Sequence, residues 1–273
     1  MAFTGSANTP KTPKTRQGHV RFSLIRNILA LMLREMSTRY GRTPGGYIWG
    51  VVEPLAAIMF LALGFSLLLR SPSLGTNFIL FYATGYVVFN LYQVVSSATS
   101  KSIEYSKPLL KFPAVNWLDA LVARFLLNSL TGIMISFLLF TIILNIVENR
   151  TVLDLGPIIE AFCLSMFLGL GIGSLNCTLI GLFPVWGMIW GIINRPLFLA
   201  SGVIYIYEDL PRLAQDILWY NPLIHITGLT RTGFYTTYSP TYIDTLYVFF
   251  VSITLLFFGL LLTRRYNRVI LNR

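Results

Sequence analysis

Asp244-Thr-Leu-Tyr-Val-Phe-Phe-Val-Ser-Ile-Thr-Leu-Leu-Phe-Phe-Gly-Leu-Leu-Leu-Thr263 carries its one charged side chain at the first position. As a helix rising about 1.5 Å per residue, such a stretch crosses the roughly 30 Å hydrocarbon core of a bilayer. Five more stretches of the same character precede it, at 47–69, 78–100, 121–145, 157–183 and 185–207. Lipid offers no partner for backbone N–H and C=O groups, so spans of this length are helical. The expected fold is an all-α polytopic membrane protein with six transmembrane helices. Mean hydropathy of +0.66, with 55% hydrophobic and 12% charged residues, excludes an ordinary soluble globule.

An even number of spans places both termini on one side, and the loop charges say which. The terminal side has sixteen basic residues, Lys11, Lys14, Arg16, Arg21, Arg26, Arg34, Arg39, Arg42, Lys101, Lys107, Lys111, Arg124, Arg264, Arg265, Arg268 and Arg273, against Glu35, Glu104 and Asp119. The other side has Arg70, Arg150, Arg212 and Arg231 against seven acids. Both termini are therefore expected in the cytoplasm. The net charge of +10 is a topology signal that requires no nucleic acid, although part of it suits anionic inner-leaflet lipid.

Residues 1–20 have no apolar period and read as a disordered basic cytoplasmic tail; residues 21–273 form one transmembrane domain. No apolar stretch with a small-residue cleavage site follows the tail, so it does not read as a secretory signal. Cys163 and Cys177 are too far apart on one helix to bridge, and neither His19 nor His225 has neighbours that suggest a metal site or a nucleophile's base. The chain has no GxxxxGK[ST] phosphate loop.

Three segments outside the spans stand out. Phe22 to Tyr40 gathers Phe22, Ile25, Leu29, Met32, Leu33, Met36 and Tyr40 on one arc, with a basic face beside it. It reads as an amphipathic helix in the cytoplasmic interface, either a plain anchor or an anchor that also touches a partner. The loop Lys101-Ser-Ile-Glu-Tyr-Ser-Lys-Pro-Leu-Leu-Lys-Phe-Pro-Ala-Val-Asn-Trp117 is longer than a helical hairpin needs. It is either an ordinary basic loop or a short element that inserts into a partner. Tyr207–Tyr242 is apolar in its middle but broken at Asn221-Pro222, the pattern of two short re-entrant helices before span six, with tyrosines at the outer interface.

The order of these parts resembles the permease subunit of ABC-2 type polysaccharide exporters. Arg42-Thr-Pro-Gly-Gly-Tyr-Ile-Trp-Gly-Val-Val-Glu-Pro54 is especially similar to the capsular-polysaccharide export permeases of Gram-negative bacteria, and Asn221-Pro-Leu-Ile-His225 adds to the likeness. The resemblance covers residues 20–273. It implies the ABC-2 exporter fold, a homodimer enclosing a translocation channel, and two copies of a separate ABC ATPase subunit that carry ATP and Mg. This chain itself would hold no cofactor and perform no catalysis. The same resemblance assigns ATPase coupling to Lys101, Glu104, Tyr105, Lys107, Pro108, Lys111, Phe112 and Pro113. It further implies a periplasmic adaptor, an outer-membrane export channel and a place in the bacterial inner membrane.

A glycan presents hydroxyls and C–H faces, so its path should mix aromatic and uncharged polar side chains. Tyr82, Tyr86, Phe89, Tyr92, Gln93, Ser97 and Ser100 follow helical spacing in span two and form the candidate channel stripe. The alternative is an aromatic surface packed on neighbouring helices or lipid. Glu53 and Arg195 lie within spans and need partners or water at that depth. They pair with each other, or Arg195 faces the channel and meets an acidic polysaccharide, or Glu53 positions the amphipathic helix. Gly169-x-Gly-x-Gly173 and Gly187-x-x-x-Gly191 suit close helix packing. An intramembrane transferase acting on lipid-linked sugars would need converging acids or a histidine, and the outer acids are scattered. An ion-coupled transporter would favour an internal repeat, and none is visible. Among ABC-2 relatives, an O-antigen, teichoic-acid or drug exporter remains an alternative.

Overall fold

The computed structural model describes residues 18–40, 46–110, 115–147 and 153–272; for 18–24, 38–40 and 47 it describes the backbone alone. Ten α-helices occur among these residues: α1 (Gly18–Tyr40), α2 (Tyr47–Ser66), α3 (Phe78–Ser100), α4 (Ser102–Leu110), α5 (Trp117–Ile146), α6 (Leu155–Leu182), α7 (Val185–Ala200), α8 (Arg212–Leu218), α9 (Pro222–Phe234) and α10 (Thr245–Asn272). Most of the expected tail, residues 1–17, lies outside the described residues, as do the break at 41–45 and the coupling residues Lys111, Phe112 and Pro113.

Local sequence sets the helix starts. Asn77 accepts from the Ile79 amide at 2.9 Å, Asp154 from Gly156 at 3.0 Å and Asn221 from Leu223 at 3.1 Å, each satisfying one orphan N–H of a first turn. Pro222 follows Asn221 at the first helical position, where its missing N–H costs nothing. Asp119 reaches back to the Asn116 amide at 3.2 Å and fixes the entry into α5.

Five helices are long and apolar enough to cross a membrane: α2, α5, α6, α10 and the run Phe78–Leu110 that joins α3 to α4. The sixth apolar helix, α7, has 16 residues and ends at Ala200, short of the expected 207. Gly202, at φ +70, turns the chain there. The carbonyls that α7 and this turn leave open are taken by α9. Asn221 donates to the Ala200 carbonyl at 2.9 Å and Thr227 to Ser201 at 2.7 Å. Arg231 donates to Tyr205 at 2.8 Å and to Val203 at 3.1 Å. The expected span is therefore divided into a helix and a tethered turn. Span six is longer than expected, since α10 continues to Asn272.

The core is a seam of α3, α6 and α10, with α9 wedged against all three. Small residues bring the backbones together, as expected where no hydrophobic effect draws helices to each other. A Cβ added at Gly173 would stand 2.6 Å from the Thr99 Cβ of α3, and one at Gly171 would stand 2.7 Å from the Ser252 carbonyl of α10. The first glycine motif thus packs inside the chain. The second does not: Gly187 meets only Ile180 of α6 at 3.9 Å and Gly191 has open space.

Helices α2 and α7 lie on the outside of the bundle, as does the outward side of α10. No residue of α7 is fully buried, and Met188 and Ile192 are about as open as Phe60 and Leu63 of α2. On α1, Ile25, Leu29, Leu33 and Met36 form an open apolar face of helical spacing, while Glu35 is buried on the opposite side against α5. That arrangement is what an interface helix needs: one face for lipid, one for protein.

Candidate functional site

The sequence placed a substrate stripe on α3, and the structure divides it. Tyr82, Phe89 and Tyr92 are packed inside the chain, at 1%, 3% and 0% exposure. Tyr82 lies among Phe65, Phe78 and Phe81 with ring centroids 5.2–6.4 Å apart, and Phe89 meets Phe198 of α7 at 5.1 Å. Ser100 is buried as well, donating to the Ser97 carbonyl. Within the protomer the three rings follow the packed alternative, because a ring at a helix junction removes more apolar surface from water there than it would beside a channel. Tyr86 is half-buried, and Gln93 and Ser97 are exposed.

The open residues of α3 form a narrower row than the sequence suggested. Tyr86, half-buried Asn90, Gln93 and Ser97 recur at spacings of four, three and four, the period of one helix face, with exposed Lys101 continuing the row. Apart from half-buried Val94, residues 87–100 outside the row are buried. Among the described residues, none of the Asn90, Gln93 and Ser97 side chains finds a hydrogen-bond partner. Asn90 was missed because residues were chosen by ring; spacing from Gln93 and Ser97 was the signal that would have found it.

Two neighbours flank the row. The Phe198 ring of α7 meets Tyr86 edge-on at 6.1 Å, and Tyr86 packs against the apolar cluster that holds Ile58 and Ala62 of α2. Tyr86 therefore stands between α7 and that cluster. Glu53 and Arg195 are both exposed and do not pair with each other within the chain; the one ion pair among the described residues is Arg124–Glu35.

The coupling segment is a helix where a loop was expected. Pro108 sits seven residues into α4, beyond the first turn, yet the helix continues to Leu110. Ser102, Ile103 and Ser106 face the bundle, while Lys101, Glu104, Tyr105 and Pro108 are exposed and Lys107 is half-buried. Ile103 packs with Cys177 of α6 and Ile270 of the extended α10. One face of α4 packs on the bundle and the other is exposed.

On the side of the bundle away from the termini, Glu208 and Asp209 sit exposed in a 3-10 turn, as expected of a solvated turn. Tyr238 donates to Glu208 at 3.0 Å, and the Tyr207 and Tyr242 rings stack at 4.1 Å. Arg231, read from the sequence as a loop charge, is 1% exposed, with its guanidinium 4.4 Å from the Phe81 ring centroid.

The sequence pattern of ABC-2 type transporters matches residues 26–235. The chain belongs to that family. The matched region runs from α1 through α9, so it includes the open row on α3 and the helix α4. Among similar proteins, the ABC-2 chain is 30% identical to the capsule polysaccharide export inner-membrane protein BexB of Haemophilus influenzae, over 97% of each chain. It is 27% identical to the capsule polysaccharide export inner-membrane protein CtrC of Neisseria meningitidis serogroup B, over 89% of this chain and 92% of that one. It is 26% identical to the polysialic acid transport protein KpsM of Escherichia coli, over 86% and 91% respectively.

Proposed function

We propose that this chain is the membrane subunit of an ATP-driven exporter that moves capsular polysaccharide across a bacterial inner membrane. Kinship with export proteins along nearly the whole chain supports the class. The observation that carries the mechanism is the open polar row on α3. An amide or hydroxyl facing hydrocarbon without a partner costs several kcal/mol, roughly 2–7 per group. Three such groups in a row on the most enclosed helix of the bundle belong against water or a hydrated substrate.

Two copies of the chain enclose that row. The unpartnered faces of α2 and α7 meet across a two-fold axis, and the paired rows form the wall of a channel. Asn90, Gln93 and Ser97 exchange hydrogen bonds with passing hydroxyls, and the Tyr86 ring offers a face to C–H groups. Glu53 and Arg195 lie on the flanking helices, where Arg195 attracts an acidic sugar. In the bilayer α7 completes six spans, α8 and α9 dip into the outer leaflet, and both termini are cytoplasmic, as the loop charges require.

The chain performs no catalysis. A separate ATPase, one copy under each permease, binds ATP and Mg and docks on the exposed face of α4, at Lys101, Glu104, Tyr105 and Pro108. Closure of the ATPase pair then displaces α4. Polysaccharide leaves toward a periplasmic adaptor and an outer-membrane channel.

Removal of the chain from cells that carry it is expected to leave polysaccharide inside and none at the surface. Restoring the chain should restore surface polysaccharide. Gln93→Trp, equally abundant in the membrane, should not. Polysaccharide at the surface without the chain contradicts the proposal.

A further inference from the structure

Arg124 near the start of α5 is 9% exposed, and it binds three things at once. Its Nε and Nη2 donate to the same Glu35 carboxylate oxygen on α1, at 3.1 and 2.9 Å. Its Nη1 donates to the Lys101 carbonyl at the junction of α3 and α4, at 3.0 Å. Its guanidinium lies 4.4 Å from the ring centroid of Tyr105 on α4. The Arg34 guanidinium of α1 approaches the same ring at 5.7 Å.

A planar guanidinium presents its donors in a fixed fork, so these bonds hold one another in geometry. Glu35 is 4% exposed, so withdrawal of Arg124 would take two charged hydrogen bonds from a buried carboxylate. Displacing the Lys101 carbonyl or the Tyr105 ring therefore moves Arg124, and Arg124 moves Glu35. The chain of contact runs from α4 through α5 to α1 without a gap.

We infer that Arg124 is a positioning residue that makes α1 follow α4, so that a push on the exposed face of α4 reaches the interface helix as well as α3. This inference rests on the export reading above. The other side of α4 is held by the apolar contact of Ile103 with Cys177 and Ile270 and by one weak hydrogen bond, between the Ser102 hydroxyl and the Cys177 thiol at 3.4 Å. The Arg124 junction is directional and cannot slide without breaking a charged bond.

The test compares ATP hydrolysis with polysaccharide export in reconstituted complexes of the full chain and its ATPase. Glu35→Gln and Arg124→Gln are expected to keep hydrolysis while export per ATP falls by about two- to thirtyfold, the span of coupling changes in packed networks. Arg124→Lys keeps the charge and the pairing with Glu35, but one ammonium cannot reproduce the fork, so it should lose coupling too. A merely structural role would lower abundance and leave the ratio unchanged.

Hydrogen exchange of the wild-type complex needs no variant and serves if these fail to assemble. Trapping the ATP-bound state should change protection in α1 together with α4. Normal export per ATP in both glutamine variants, or an α1 unaffected by nucleotide while α4 responds, overturns the inference alone. A wild-type complex that exports nothing with ATP overturns the export reading, and this inference falls with it.

Discussion

His225 ties two turns together through both ring nitrogens. Nδ1 accepts from the Asp244 amide at 3.1 Å, so the proton sits on Nε2, which donates to the Trp219 carbonyl at 2.7 Å. Burial pushes its pKa below the ordinary 6.5, against the opposing pull of the Trp219 carbonyl and the Asp244 carboxylate. The unfolded chain therefore takes up this proton first as pH falls. The stabilisation is full above about pH 6.5 and is lost as pH drops through the lower folded value. Melting temperature in detergent is expected to fall below pH 6.5 in the wild type, with a shallower dependence in His225→Phe; equal pH profiles would contradict this. Arg231 gives a second case. Arg231→Ala leaves the Val203 and Tyr205 carbonyls open, at about 1–3 kcal/mol each, and the loss of melting temperature should report it. Neither role was legible in the sequence, because a histidine or arginine between spans looks the same whether it is solvated or holds a turn. The aromatic residues of α3 misled for a related reason: ring identity suggests a sugar face, yet Tyr82, Phe89 and Tyr92 fill helix junctions.

At the scale of elements, periodicity and glycine spacing carried more. The apolar arc of α1, the small-residue seam of α6 and the two short helices α8 and α9 were all readable, since each is set by residues a few positions apart. The length of α7 was not, because its end depends on side chains of α9 more than twenty residues away. Likewise α4 was read as part of a long loop or as a short inserting element, and Pro108, in its second half, does not stop the helix before Leu110. The glycines give a matched pair of predictions. Gly173→Val should destabilise the protomer by about 1–3 kcal/mol through overpacking against Thr99. Gly191→Val, where nothing lies within 4 Å, should leave protomer melting unchanged. Thermal unfolding of the two variants in the same detergent separates them.

The whole molecule is asymmetric in what it buries. The seam between α3, α6 and α10 is closed, whereas α2, α7 and the outward side of α10 present open apolar faces and α3 presents a polar row. A lone protomer in lipid would leave Asn90, Gln93 and Ser97 unsatisfied, and a pair closing around water would not. Membrane class and family were accessible from the sequence, since they depend on hydropathy, charge and segment order. The face of α3 left open was not, since it depends on which neighbours cover the rest.

That face is where the account is most exposed. In a Cys163→Ser background, with Cys177 buried, single cysteines are placed along α3 in intact membranes and treated with a membrane-impermeant maleimide. Asn90→Cys, Gln93→Cys and Ser97→Cys should label readily. Val88→Cys and Val95→Cys, on the buried faces, should not. Phe257→Cys on the open apolar side of α10 reports lipid and should label as poorly as the buried positions. Labelling at Asn90, Gln93 and Ser97 no greater than at Phe257 would mean that the polar row meets no water, and the channel would have to lie elsewhere.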